Sequence, residues 1–301
     1  MTTDFLRCSP EVAEALSDGR AVVALESTVI SHGLPYPQNL DIARELEGIV
    51  RAGGAVPATI ALADGRVHVG IDADLLERLA RAEGVAKVSL ANMGIVLARG
   101  GLGATTVAGT MWAAHQAGIR VFATGGTGGV HPGRVDVSAD LPALATIPVA
   151  VVSAGVKSLL DVEATREWLE THGVPVLGVG TDEMPGFYTR SAGVRVDARV
   201  QDAEEAADIV RAHWEVGLGT GVLVTVPLAP EDALDDKALA GWLSQAEAEA
   251  EAKGIRGPAV TPYVLAALAR LSGGRSVEAN LKLLRQNARF AAALARALSS
   301  R

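Results

Sequence analysis

The chain has 301 residues, 49% of them hydrophobic and 21% charged, which is ample for a sizeable core in one large α/β domain or two smaller ones. Its 27 Lys and Arg stand against 35 Asp and Glu, a formal charge of −8 with no basic tract, which excludes an electrostatic footprint for duplex nucleic acid or an anionic membrane. A single cysteine, Cys8, excludes an intrachain disulfide and a cysteine-built zinc cluster.

The opening MTTDFLRCSPEVAEAL carries Asp4 and lacks an apolar core, which argues against a secretory signal. The longest apolar stretches reach about ten residues, short of the ~18–20 that a membrane helix needs. A soluble, reducing, cytoplasmic setting is therefore expected. Ser9-Pro10-Glu11 reads as a helix start, with a hydroxyl cap, a proline in the first turn and a carboxylate near the positive end of the dipole. AVVALESTVI (21–30) reads as a strand, followed by the turn-rich SHGLPYP and an amphipathic helix over 38–52 that stops at Gly53-Gly54. VPATIALADGRVHVG places Asp64-Gly65 between two β-rich runs, a hairpin signal.

Further strands are predicted at 86–90, 120–124, 147–153, 174–179 and 221–226, interleaved with helices over 105–118, 158–173 and 203–217. Near-continuous Val, Ala and Ile strands alternating with helices predict a mostly parallel sheet covered on both faces. From about 238 the pattern is helical, ending in SVEANLKLLRQNARFAAALARALSS. No low-complexity linker interrupts the chain, so 1–301 is expected to form a single three-layer α/β/α domain with a helical C-terminal segment. In such folds ligands sit at the carboxyl ends of the strands.

Three features fall at or near those ends. Lys157, in VVSAGVKSLLD, closes an apolar run, where burial disfavours the ammonium and leaves an amine nucleophilic toward a carbonyl-like carbon. The plainer reading pairs it with Asp161 or lets it reach solvent. Glu26, between Leu25 and Ser27 in a strand, is either a proton-transfer group or an outward-facing edge glutamate. The stretch ATGGTGGVHPGRVDVSADL (123–141) frees backbone amides to approach an anion, yet lacks the spacing of a P-loop or a dinucleotide fingerprint. Within it Asp136, Ser138 and Asp140 offer hard oxygen ligands for Mg²⁺ or Mn²⁺; alternatively Ser138 or Asp140 caps a following helix. His131 is a further ligand candidate, although a loop histidine is more often neither ligand nor catalyst. Lys87, in GVAKVSLAN, is a second strand lysine, suited to a phosphate or to an exposed edge.

Taken in order, VVALESTVISHGLPYPQN, GAVPATIA, AKVS, GATTVAGTM, FATGGTGGVHPG, DVSADL, SAGVKSLLD and TPYVLAALARLSGGRSVEANLKLLRQNA resemble the pseudouridine-5′-phosphate glycosidases (pseudouridylate synthases) over nearly the whole chain. The resemblance implies a Schiff-base lysine at Lys157 and a proton-donating glutamate at Glu26. It implies substrate contacts at Lys87, Val107, Ser138, Ala139 and Asp140, a manganese ligand at Asp136, and a contact from Asn280 to the base edge. It also implies one Mn²⁺ per subunit, a homotrimer, and reversible cleavage of pseudouridine 5′-phosphate to uracil and ribose 5-phosphate, classed with the carbon–oxygen lyases. One departure stands out: where the family commonly carries an Arg-Arg-Asp-Leu segment, this chain reads Leu90-Ala91-Asn92-Met93. Two other activities fit the residues, a different Schiff-base sugar-phosphate lyase and a non-catalytic nucleotide or sugar-phosphate sensor.

Overall fold

In chain order the elements begin with β1 (Leu6–Cys8), α1 (Pro10–Ser17), β2 (Val22–Leu25), α2 (Thr28–His32), α3 (Gln38–Ala52), β3 (Val56–Ala63) and β4 (Arg66–Val69). There follow α4 (Ala73–Arg81), β5 (Ala86–Val88), α5 (Met93–Ala98), β6 (Gly103–Thr105), α6 (Val107–Ala117), β7 (Val121–Ala123), α7 (Asp140–Thr146) and β8 (Ala150–Ser153). The remainder is α8 (Val162–Thr171), β9 (Val176–Val179), β10 (Ala198–Val200), α9 (Ala203–Glu215), β11 (Val222–Thr225), α10 (Asp236–Ala252), α11 (Val260–Leu271) and α12 (Arg275–Ser299). The computed structural model describes residues 5–133, 136–256 and 260–300. Asp4, the 134–135 step of the glycine-rich stretch and the 257–259 step of the C-terminal helical region lie outside these residues.

Local chemistry accounts for many boundaries. The Ser9 hydroxyl accepts the Val12 amide at 3.3 Å, and Asp72 and Asp202 accept Leu75 N–H at 2.8 Å and Glu205 N–H at 3.0 Å, so each caps its helix. Asp64 and Gly65 both take positive φ, 52° and 73°, the geometry of a two-residue turn that matches strand twist and joins β3 to β4.

The sheet runs β1-β4-β3-β2-β7-β8-β11-β9-β10, with β6 joining β3 and β5 joining β6. All pairings are parallel except β3 with β4 and β3 with β6. Side chains alternate between two cores. Val23, Leu25, Val121, Val152 and Val224 face one side with residues of α3, α9 and α12. Val22, Ala24, Phe122, Val151 and Leu223 face the other with residues of α1, α6 and α8. Both faces are therefore apolar, which is why these strands read as unbroken hydrophobic runs.

β3 outlasts β2. Residues 56–59 of β3 pair with β2, and residues 61 and 62 pair with β6 running the opposite way. This return strand carries Thr105 back toward the carboxyl end of β2, with β5 alongside.

Two expected elements are corrected. The strand expected over 21–30 ends at Leu25, and Thr28–His32 is helical, although Thr28, Val29 and Ile30 are β-branched. Tertiary packing overrides propensity there, with Ile30 fully buried against Leu40 and Leu79 in a separate small core. The helix expected from 158 begins at Val162, because Asp161 accepts the Ala164 amide at 2.9 Å and sets its start.

Candidate active site

Glu26 follows β2, Thr124 follows β7 and Lys157 lies four residues beyond β8; these strands are neighbours in the sheet. A parallel sheet sends such residues out at one end. Glu26 thus lies beyond its strand rather than inside it.

Thr127 fastens the glycine-rich loop to the segment before Lys157. Its amide donates to Gly155 O at 3.0 Å, and the Lys157 amide donates to Thr127 O at 3.1 Å. Gly155 has φ of 88°, and a Cβ there would stand 2.4 Å from Pro185 O, so the approach to Lys157 requires glycine. Lys157 is half-buried, and among the described residues neither ion pair nor hydrogen bond engages its amine. The pairing with Asp161 is not formed, since that carboxylate serves α8.

Both oxygens of Glu26 are held: Thr124 Oγ1 donates to Oε1 and Thr28 Oγ1 donates to Oε2. Lys87, on β5, is exposed in surface terms, yet its ammonium is held down from the usual lysine range. The loss of solvent around it is the main cause, the charge of Lys157 adds to it, and Glu26 and Asp140 oppose it. Lys157, Glu26 and Asp140 thus all lie close enough to act on Lys87. His32 on α2 is pushed down as well, by burial first and then by the Lys87 charge, while its ring nitrogen meets Val85 O at 3.1 Å.

Asp140 is 6% exposed, and neither reading made from sequence describes it fully. It does not cap α7: it stands at the first position of that helix, and its carboxylate reaches elsewhere. Oδ2 accepts Gly128 N–H at 2.8 Å and Oδ1 accepts Ala108 N–H at 3.0 Å, so it bridges the glycine-rich loop to the amino end of α6. The Gly128 amide is therefore spent internally. Thr127 and Val130 amides are also bonded, which leaves those of Gly125, Gly126 and Gly129 without an internal acceptor among the described residues.

Val107 is 1% exposed, backbone included, and as the first residue of α6 its amide has no intrahelical acceptor. Ser138 is half-buried and accepts the Asp140 amide at 3.3 Å, while Ala139 is exposed. Asp136 is exposed, its carboxylate 4.0 Å from His131 Nε2, and no group of three or more potential metal-ligating side chains occurs among the described residues. Asn280 faces the loop from α12, its Oδ1 3.7 Å from where a Cβ on Gly125 would stand.

Thr28, Thr124 and Asn287 were not singled out from sequence. Asn287 is fully buried and donates to Thr124 O at 2.8 Å and Gly125 O at 3.3 Å, tying α12 to the start of the loop. An asparagine amid Leu283, Leu284, Ala288 and Ala291 on the buried face of α12 was the one visible signal. In the departing segment, the Asn92 amide donates to Lys87 O at 3.0 Å and its carbonyl accepts Ser89 N–H at 2.9 Å, shaping the turn after β5. Leu90 lies 40% exposed beside it.

A cavity of about 430 Å³ opens at the opposite end of the sheet, between Arg20, Arg51 and Arg296. Arg20 and Arg51 are already paired with Glu14, Asp18, Glu11 and Glu47.

The family model described as "Indigoidine synthase A like protein" matches residues 11–297. A pseudouridine-5′-phosphate glycosidase from a Nocardioides species is 52% identical over 97% of this chain and 96% of its own length. One from Deinococcus radiodurans is 51% identical over 97% and 94%. Among solved structures, the prealnumycin C-glycosynthase AlnA in complex with ribulose 5-phosphate superposes with a TM-score of 0.92 at 44% identity, covering 99% of this chain and 98% of the other. An indigoidine synthase A-like protein from Thermotoga maritima gives 0.89 at 37% identity, covering 98% and 97%.

Proposed function

The chain belongs to the indigoidine synthase A-like family, and on that premise we propose that it is an enzyme that reversibly cleaves the C-glycosidic bond of pseudouridine 5′-phosphate, giving uracil and ribose 5-phosphate. The observation that carries the reading is an unpaired, half-buried Lys157 at the strand ends that also present a held Glu26 carboxyl.

A carbon–carbon glycosidic bond offers no leaving nitrogen to protonate, so the electron push must come from the sugar side. The Lys157 amine adds at C1′ as the C1′–O4′ bond breaks and the ribose ring opens, and the proton lost by the adding nitrogen passes to the ring oxygen. Glu26 gives its proton to C5 of the base. The nitrogen lone pair then forms C1′=N as the C1′–C5 bond breaks, and the electrons of that bond return to the base ring, releasing neutral uracil. Water adds to the imine, freeing ribose 5-phosphate and the amine. A positioned acid contributes about 10²–10⁴-fold, and covalent catalysis divides the difficult step in two.

The phosphate is assigned to Lys87, with the amides of Gly125, Gly126, Gly129 and Val107, which are buried and lack an internal acceptor among the described residues, as further donors. Ser138 and Ala139 line the same approach, with Asp140 bracing it and Asn280 set toward the base. Asp136 with His131 nearby would hold a Mn²⁺ ion; a single carboxylate suits a hard divalent ion that keeps its waters, and the ion would neutralise phosphate charge. A homotrimer belongs to the same proposal. The apolar groove lined by Phe5, Leu90, Met93 and Trp112 is surface that such an assembly would cover. No helix among the described residues is long and apolar enough to cross a membrane.

The test is uracil release from pseudouridine 5′-phosphate with Mn²⁺ present, together with borohydride trapping of ribose 5-phosphate. Added mass at Lys157, and its loss with turnover in a folded Lys157→Ala variant, are expected. Trapping without uracil release would point to another Schiff-base lyase. Binding without trapping would point to a sensor.

A further inference from the structure

The two hydroxyls that hold Glu26 differ in what else they reach. Thr28 Oγ1 also lies 3.1 Å from the Thr105 carbonyl oxygen. Thr124 Oγ1, on a residue 2% exposed, has the carboxyl as its only acceptor among the described residues. A threonine hydroxyl carries one proton to donate. Thr28 can therefore give it to Glu26 Oε2 or to Thr105, but not to both at once.

We propose that Thr28 and Thr124 are positioning residues that seat the Glu26 proton on Oε2 and meet the charge left there when it departs. This rests on the reading in which Glu26 is the acid for C–C cleavage. In the neutral acid one oxygen is carbonyl-like and accepts, and the other bears the proton. Thr124 donates to Oε1 in either state, so Oε1 is the carbonyl-like oxygen and the proton belongs on Oε2. Thr28 then turns its O–H onto the Thr105 carbonyl, and no donor is stranded. As the proton passes to C5, Oε2 becomes anionic, and rotation about one C–O bond brings the Thr28 O–H back to it. The enzyme thus exchanges a hydrogen bond to a neutral carbonyl for a stronger one to an anion along the reaction coordinate, which is the kind of interaction that raises kcat.

The alternative acceptor is itself well held. The Thr105 amide donates to Ser27 Oγ at 2.9 Å, and its hydroxyl donates to Ile60 O at 2.9 Å while accepting from Thr110 Oγ1 at 2.8 Å. Thr105 arrives there only because β6 runs antiparallel along the distal half of β3. The swinging hydroxyl accordingly has two fixed targets.

Thr28→Val, Thr28→Ser and Thr124→Val test the assignment by steady-state kinetics on pseudouridine 5′-phosphate and by borohydride trapping of ribose 5-phosphate. Thr28→Val should lower kcat roughly 10²-fold, the scale for losing one donor to a developing anion, with KM little changed. Thr28→Ser should recover most of it, and Thr124→Val should lose a smaller factor, about 2–10-fold. Trapping at Lys157 should stay at the wild-type yield in all three. Wild-type kcat in Thr28→Val, a serine variant no better than valine, or trapping lost in step with turnover would each overturn the proposal. A wild-type protein that neither traps the sugar nor releases uracil would instead overturn the parent reading, and this one with it.

Discussion

Replacing Asp140 by asparagine isolates the bridge between the glycine-rich loop and α6. The carboxylate is 6% exposed and accepts one amide on each oxygen, from Gly128 at 2.8 Å and Ala108 at 3.0 Å. Asparagine keeps the volume but has one acceptor oxygen, so in either orientation one backbone N–H faces an NH₂ group. A buried donor left without a partner costs about 1–3 kcal/mol, and the surviving bond weakens to its neutral form. Removing a negative charge from the amino end of α6 costs about 0.3–1 kcal/mol more. Asp140→Asn should therefore lose roughly 2–5 kcal/mol of stability, with turnover falling as Gly128 shifts. Guanidinium unfolding should show a lower midpoint with the slope unchanged, and calorimetry a melting temperature about 4–10 °C lower at ~2 °C per kcal/mol. A variant within about 0.5 kcal/mol of the parent, the range of ordinary surface changes, would refute the bridging role. If that variant also had a raised KM, Asp140 would be a substrate contact alone.

For Lys87 the sign of the pH dependence follows from its lowered pKa. Between that value and the ordinary 10.5 the unfolded chain binds more protons than the folded one, so wild-type stability rises with pH across that interval. Lys87→Met should thus be more stable than wild type at neutral pH while losing activity, and its advantage should shrink as pH approaches 10.5. Unfolding titrations at several pH values check this, and an advantage that grows with pH would contradict it. Gly155→Ala forces a side chain onto φ of 88° and a Cβ to 2.4 Å from Pro185 O. The backbone conformation alone costs about 1–2 kcal/mol, and the overlap displaces the segment that carries Lys157. Both stability and borohydride trapping should fall; a variant that traps like wild type would show that Lys157 tolerates the shift.

What the amino-acid order alone determined is local. The amphipathic repeat and the following Gly53-Gly54 place α3 at Gln38–Ala52, and Asp64-Gly65 specifies the turn between β3 and β4. Unbroken Val and Ala runs announce a sheet covered on both faces. Lys157 and Glu26 stood out because a charge beside an apolar run is costly unless it is used. The split of 21–30 was hidden because β-branched residues favour strands until a buried contact such as that of Ile30 decides otherwise.

Tertiary structure alone decided the rest of the site. Thr124 meets Glu26 across 98 positions of sequence, and Thr105 meets Thr28 across 77. Asp140 looked like a helix cap or a metal ligand because its spacing suits either, whereas its real partners are amides 12 and 32 residues away. Periodicity reports which face of an element is buried, but a hydroxyl or carboxylate takes its role from whichever donors the strand order brings within 3 Å. Here that order includes a return strand, β6, that no local pattern announced.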